Sequence, residues 1–156
     1  MAYPTISISK KLTKNGRTIA TAESCTGGLL ANMFTNLPGS SQYFLVGIAA
    51  YSNQAKTSLL KIPAAVIKQH GAVSSEVSKL MAQNIRKISS SDYAIGITGI
   101  AGPGGGSPKK PLGTVFISLA VNSKTITKRF RFTGTRLEIK RKTALKAVSM
   151  LNALIP

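Results

Sequence analysis

The stretch from Thr18 to Phe34 constrains the fold of this chain more than any other. The apolar run Thr18-Ile19-Ala20-Thr21-Ala22 is of strand length and gives way to Glu23-Ser24-Cys25-Thr26-Gly27-Gly28. Leu29, Leu30, Met33 and Phe34 then recur at helical spacing. A buried strand, a tight glycine turn and an amphipathic helix satisfy that order of residue types. A nucleophile carried on such a turn is exposed at the end of a sheet. The helix N-terminus behind it offers amide N–H groups that have no intrahelical partner.

The remainder of the chain reads as alternating helices and strands. Residues 5–15 fit a short helix through Ile8 and Leu12, although Thr5 to Ile8 also alternate like a strand. The first strand is expected at 17–22 and its helix at about 26–35. Pro38-Gly39 marks a turn, and 43–51 reads as a largely buried strand. A helix over 53–60 has Asn53 as its candidate N-cap. Another opens near Pro63 and stops at Gly71.

Val77, Leu80, Met81, Ile85 and Ile88 keep helical periodicity over 74–88, with Ser74 as cap and Glu76 in the first turn. Residues 92–98 read as a strand followed by a long Gly/Pro loop. Residues 114–121 and 125–132 form a hairpin turning at Asn122-Ser123. In its second strand Ile126, Phe130 and Phe132 share one face, and Thr127, Arg129 and Arg131 the other. Thr135-x-x-Glu138 is a capping box opening a terminal helix to about residue 153. Together these elements specify one layered α/β/α domain over 1–156, with a central mixed sheet.

Scarcity of particular residues restricts the chemistry. The chain has one histidine (His70), one cysteine (Cys25) and four acids (Glu23, Glu76, Asp92, Glu138). A zinc site or a pair of catalytic carboxylates therefore has few possible members. A Ser-His-Asp arrangement has only His70 with Asp92, or with one of the glutamates, to draw on. No intrachain disulfide is possible. No apolar run approaches a membrane span, and Met1-Ala2-Tyr3-Pro4 does not open like a secretory signal, so the cytoplasm is the expected location. Lysine is abundant, and lysine-based chemistry is the least restricted choice.

Against the four acids stand 21 lysines and arginines, a net charge of +17. Nine of these cations lie between Lys124 and Lys146. Such a charge attracts polyanions or phosphorylated small molecules. A solvated basic surface explains it equally well, and no zinc-finger or RNP-type motif accompanies it.

Ser24 is the first candidate nucleophile. A serine hydroxyl needs a base, and a lysine held neutral by burial or by neighbouring positive charge can act as one. Lys56 follows Tyr51 and Asn53 just after a predicted strand. If strands 17–22 and 43–51 are neighbours, Ser24 and Lys56 leave the same edge of the sheet. The competing reading makes Ser24 a helix cap and Lys56 a surface residue. Cys25 is a rival nucleophile, although a lone cysteine is more often a small buried residue. Glu23 can orient Lys56 or an N–H group, or cap the helix. His70 before Gly71 reads as helix termination.

The run from Gly96 to Pro108 is dense in glycine without the spacing of a Walker loop. Its backbone can approach a phosphate closely, or it can simply connect two strands. Thr98 either offers its hydroxyl to a substrate or finishes a strand. Arg136 sits in the first turn of the terminal helix, where a cation is electrostatically unfavourable unless an anion compensates it.

Taken together, Thr21 to Gly28, Pro38-Gly39-Ser40-Ser41, Tyr51 to Lys56, His70 to Ser74 and Thr98 to Pro108 resemble the CinA C-terminal-domain family, the nicotinamide-nucleotide amidohydrolases. Phe132 to Arg136 matches more weakly. The resemblance implies hydrolysis of the carboxamide of nicotinamide mononucleotide, giving nicotinic acid mononucleotide and ammonia for NAD synthesis. The family's catalytic serine, tyrosine and lysine fall on Ser24, Tyr51 and Lys56, and no metal or organic cofactor is implied. Tyr51 would relay a proton to ammonia or tune Lys56.

The substrate-binding set expected around them is Thr26, Gly27, Gly28, Thr98, Gly102, Gly104, Gly105 and Arg136, with amides from Cys25 to Gly28 as the oxyanion site. A homo-oligomer is expected. The chain departs from the family at Thr135, usually an acid, and at Lys140, often arginine. Two further functions stay open: the same fold acting on another amide or nucleotide, and a non-catalytic, nucleic-acid-associated protein using the basic surface.

Overall fold

Two faces of very different side-chain size explain how the sheet is covered. In a computed structural model, which describes residues 5–156, the chain runs α1 (Ile6–Lys14), β1 (Ile19–Glu23), α2 (Leu29–Thr35), β2 (Phe44–Ala49), α3 (Asn53–Ser58) and α4 (Ala64–His70). It continues through α5 (Ser75–Ser89), β3 (Tyr93–Gly99), β4 (Thr114–Val121), β5 (Lys124–Arg131) and α6 (Arg136–Leu154). The five strands lie in the order β2-β1-β3-β4-β5. β1 pairs in parallel with β2 and β3, whereas β3–β4 and β4–β5 are antiparallel. The sheet is therefore mixed, as expected from the hairpin.

Successive residues of each strand face opposite layers. Ile19, Ile95, Ile97, Val115, Ile117 and Leu119 form the large-residue face, packed against Ile8 and Leu12 of α1, Leu30 and Phe34 of α2, and Ala144, Ala147, Val148 and Leu151 of α6. The opposite face holds Ala20, Ala22, Ala94 and Ala120 against Val77, Met81, Ala82 and Ile85 of α5. Gly96 belongs to that small-residue face, and there a Cβ would lie 2.4 Å from Ser78 O and 2.5 Å from Ala82 N. Small residues thus let α5 sit almost directly on the strands. Ser78 bridges the contact, its hydroxyl 2.8 Å from Ser118 Oγ, which is in turn 2.8 Å from Thr127 Oγ1. These buried hydroxyls satisfy one another between helix and sheet.

Several sequence expectations are corrected. β2 is an edge strand with alternating exposure, not a largely buried one, and Leu45 is 46% exposed. α2 begins at Leu29 rather than 26, because Gly27 (φ 60) and Gly28 (φ 95) are both left-handed and cannot continue a right-handed helix. Ser52, not Asn53, caps α3, its hydroxyl accepting from Ala55 N at 3.0 Å. Ile88 is half-exposed in the last turn of α5 rather than part of its buried face. Ser74 caps α5, and the capping box of Thr135 and Glu138 is formed. Among the described residues no helix is long and apolar enough to cross a membrane. The reading of Met1 to Pro4 lies outside the described residues.

Candidate active site

The parallel pairing of β1 with β2, through Glu23↔Ala49 at the C-terminal end, brings Ser24 and the segment after β2 to one edge of the sheet. Ser24 follows β1 directly, with its amide donating to Ile97 O at 3.0 Å. Lys56 lies on the first turns of α3 and folds back beneath it. Its Nζ is 3.0 Å from Ser24 Oγ and 3.2 Å from the carbonyl of Tyr51. The lysine is 1% exposed, so it is no surface residue, and Ser24 is 9% exposed. Burial lowers the pKa of Lys56 from its ordinary value and favours the neutral amine.

The buried carboxylate nearby, that of Glu23, faces α2. Its carboxylate accepts from the amides of Gly28 (3.2 Å), Leu30 (3.0 Å) and Ala31 (2.8 Å). Of the two roles considered for Glu23, capping is the one realised. Ser24 accordingly does not cap α2, and its hydroxyl is left for Lys56.

Cys25 is buried beside Ser24, and burial together with the charge of Glu23 pushes its thiol up to about 12. A thiol so rarely ionised is a poor nucleophile at neutral pH, so Cys25 is a weaker candidate than Ser24.

The turn amides divide into two groups. Gly27 N donates to Ser24 O and Gly28 N to Glu23. These two predicted oxyanion donors are therefore engaged within the turn. Among the described residues, the amides of Cys25 and Thr26 reach no backbone carbonyl. Thr26 is fully buried and its Oγ1 has no hydrogen-bond partner.

Tyr51 contributes differently from expectation. Its main-chain carbonyl, rather than its hydroxyl, holds Lys56. The side chain is 58% exposed, and its hydroxyl accepts a hydrogen bond from Arg136 Nη2 at 2.5 Å. Arg136 Nη1 donates to Gly102 O at 2.7 Å. The cation in the first turn of α6 is thus compensated by a carbonyl and a phenol, and it fastens the glycine loop to Tyr51.

The loop from Ile100 to Gly113 connects the antiparallel strands β3 and β4 and is closed at its neck by Ile100 N to Thr114 O and Gly113 N to Ile100 O. Gly102 is buried under Arg136, whereas Gly104 and Gly105 occupy the exposed part of the loop. Thr98 is 1% exposed and donates to Ala72 O at 2.8 Å, so its hydroxyl ties the connection between α4 and α5 to the strand end instead of facing outward. Among the described residues, no three His, Cys, Asp or Glu side chains gather as a metal site.

A further cation stands over the turn. Lys140, one turn beyond Arg136 on α6, brings its Nζ to 3.7 Å from where a Cβ on Gly27 would stand. The spacing of four between Arg136 and Lys140 is the signal that finds it, since residues four apart share a helix face.

Comparison with known proteins bears on the whole chain. The family model described as CinA C-terminal domain matches residues 4–155. A CinA-like protein of Geotalea uraniireducens is 51% identical over 138 residues, covering 88% of this chain and 33% of that protein. A putative competence-damage inducible protein of Caldicellulosiruptor bescii is 48% identical over 144 residues, covering 92% of this chain and 35% of its own length. The chain therefore spans about a third of these curated relatives. The crystal structure of the competence/damage inducible protein CihA from Agrobacterium tumefaciens superposes with a TM-score of 0.93 at 35% identity, covering 97% of this chain and 94% of that one. The competence damage-inducible protein A (ComA) from Klebsiella pneumoniae gives 0.93 at 31% identity, covering 96% and 93%.

Proposed function

The chain belongs to the CinA C-terminal-domain family, and on that premise we propose that it hydrolyses the carboxamide of nicotinamide mononucleotide to nicotinic acid mononucleotide and ammonia. The observation that carries the reading is the 3.0 Å approach of Lys56 Nζ to Ser24 Oγ, with the lysine buried and without a carboxylate partner among the described residues. A neutral amine in that position accepts the serine proton. Ser24 Oγ then attacks the amide carbon, the C–N bond breaks, and ammonia leaves with a proton returned by Lys56. Water, deprotonated by the same amine, hydrolyses the acyl-enzyme and restores the serine.

A positioned acid–base group of this kind contributes on the order of 10²–10⁴-fold. The amides of Cys25 and Thr26 are the donors that remain for the developing oxyanion. Tyr51 holds Lys56 through its carbonyl and, with Arg136, forms the exposed rim. We assign no metal or organic cofactor to the reaction. A cytoplasmic homo-oligomer acting on a soluble nucleotide is part of the same reading.

Ammonia release from nicotinamide mononucleotide by chelator-treated wild type and Ser24→Ala tests it. Release by wild type alone is expected. A folded wild type that releases none overturns the substrate assignment and sends the search to other amides. Steeply salt-dependent binding to unrelated DNA in that case favours the polyanion reading instead.

A further inference from the structure

Three basic side chains lie around the candidate site, and they are not equivalent. Lys56 is buried under the serine. Both forks of Arg136 are already engaged, one on Gly102 O and one on the Tyr51 hydroxyl. Lys140 is half-buried on the same helix, and among the described residues its ammonium has neither a hydrogen-bond acceptor nor a carboxylate within reach. The four acids are accounted for elsewhere: Asp92 on Arg17, Glu76 on His70 and Ser75, Glu23 on α2 and Glu138 on its own cap.

The position of that ammonium is specific. It stands over Gly27, the residue whose missing side chain leaves the approach open, three positions past the serine. Gly27 is left-handed at φ 60, which strains any side chain placed there. Thr26, adjoining it, carries the buried hydroxyl without a partner.

We propose that Lys140, rather than Arg136, is the cation that holds the phosphate of the substrate, and that it sets the preference for a phosphorylated nucleotide over its nucleoside. Arg136 is in this view a positioning residue for Tyr51 and the glycine loop. The inference rests on the reaction proposed above for its choice of ligand, but the anion site is a separate matter from turnover.

Isothermal titration on Ser24→Ala, which leaves the ligand intact, separates the two. The ligands are nicotinamide mononucleotide and nicotinamide riboside, which differ only in the phosphate. The mononucleotide is expected to bind at least about tenfold more tightly. Adding Lys140→Met should weaken it by about 10–100-fold, the range of one charge-assisted contact, while the riboside changes by less than about twofold. Lys140→Arg, checked like the other variants for native circular dichroism, should recover most of the loss.

The proposal is overturned if the preference survives Lys140→Met, if both ligands weaken equally, or if neither ligand binds. Binding with the expected pattern but no ammonia release from wild type sinks the reaction and leaves the anion site standing. Release of ammonia with an unchanged KM in Lys140→Met does the reverse.

Discussion

Glu23 and Lys56 are an acid and an amine buried on either side of Ser24, and they do not pair. The carboxylate turns to the amides of Gly28, Leu30 and Ala31, and the amine turns to the serine. The separation has a chemical consequence. A carboxylate beside Lys56 would hold it protonated, whereas burial alone favours the neutral base.

Lys56→Met should abolish ammonia release while raising the unfolding midpoint. Methionine fills the same space without a buried amine whose hydrogen bonds only partly offset its desolvation, a gain of about 1–3 kcal/mol. Activity assays alongside urea unfolding test both halves. Loss of activity with lower stability would show that Lys56 supports the fold.

The pH dependence follows from the same lysine. Its pKa is lowered in the folded protein, so the folded state releases the proton before the unfolded chain does. Stability contributed at this site is therefore poorest where Lys56 is charged in both states and improves as pH rises through the folded value. The kcat/KM profile should rise over that window with one proton lost. A kcat/KM profile with no rising limb at any pH below the ordinary lysine range, over the span where the protein stays folded, would remove Lys56 as the base.

Glu23→Gln should destabilise the fold by about 1–3 kcal/mol, because an amide cannot accept as the carboxylate does from three amides at once. Denaturant titration measures it. An unchanged midpoint would mean that water replaces those contacts without loss.

Cys25 should resist alkylation by iodoacetamide at pH 8, since its thiol is pushed up to about 12. Cys25→Ala should retain most activity. Rapid inactivation by the reagent, with modification mapped to Cys25, would restore it as a nucleophile.

Gly96→Ala should cost several kcal/mol, roughly 2–4, because its Cβ would lie 2.5 Å or less from two backbone atoms of α5. Gly104→Ala, with nothing within 4 Å, serves as the control. Thermal unfolding of the two variants should differ clearly. Equal midpoints would mean that α5 can move off the sheet at little cost.

The sequence by itself determined the succession of strands and helices, because periodicity, glycine turns and caps are local signals. It placed Ser74, Thr135 and Glu138 at helix starts, and it put Ser24 on a turn after a strand. It also marked Lys56 as a possible base, conditional on two strands being neighbours. Only the tertiary structure supplied that neighbour relation, since pairing of β1 with β2 depends on which strands meet across the sheet. The same dependence explains the misjudged features. β2 is apolar enough to be buried, but its place at the sheet edge leaves Leu45 exposed. Tyr51 carried a hydroxyl that looked available to Lys56, but the fold presents its carbonyl to the amine and its hydroxyl to Arg136. Local pattern fixes what each segment can become. The long-range packing of the sheet decides which polar groups are left over to meet one another, and in this protein those groups form the candidate site.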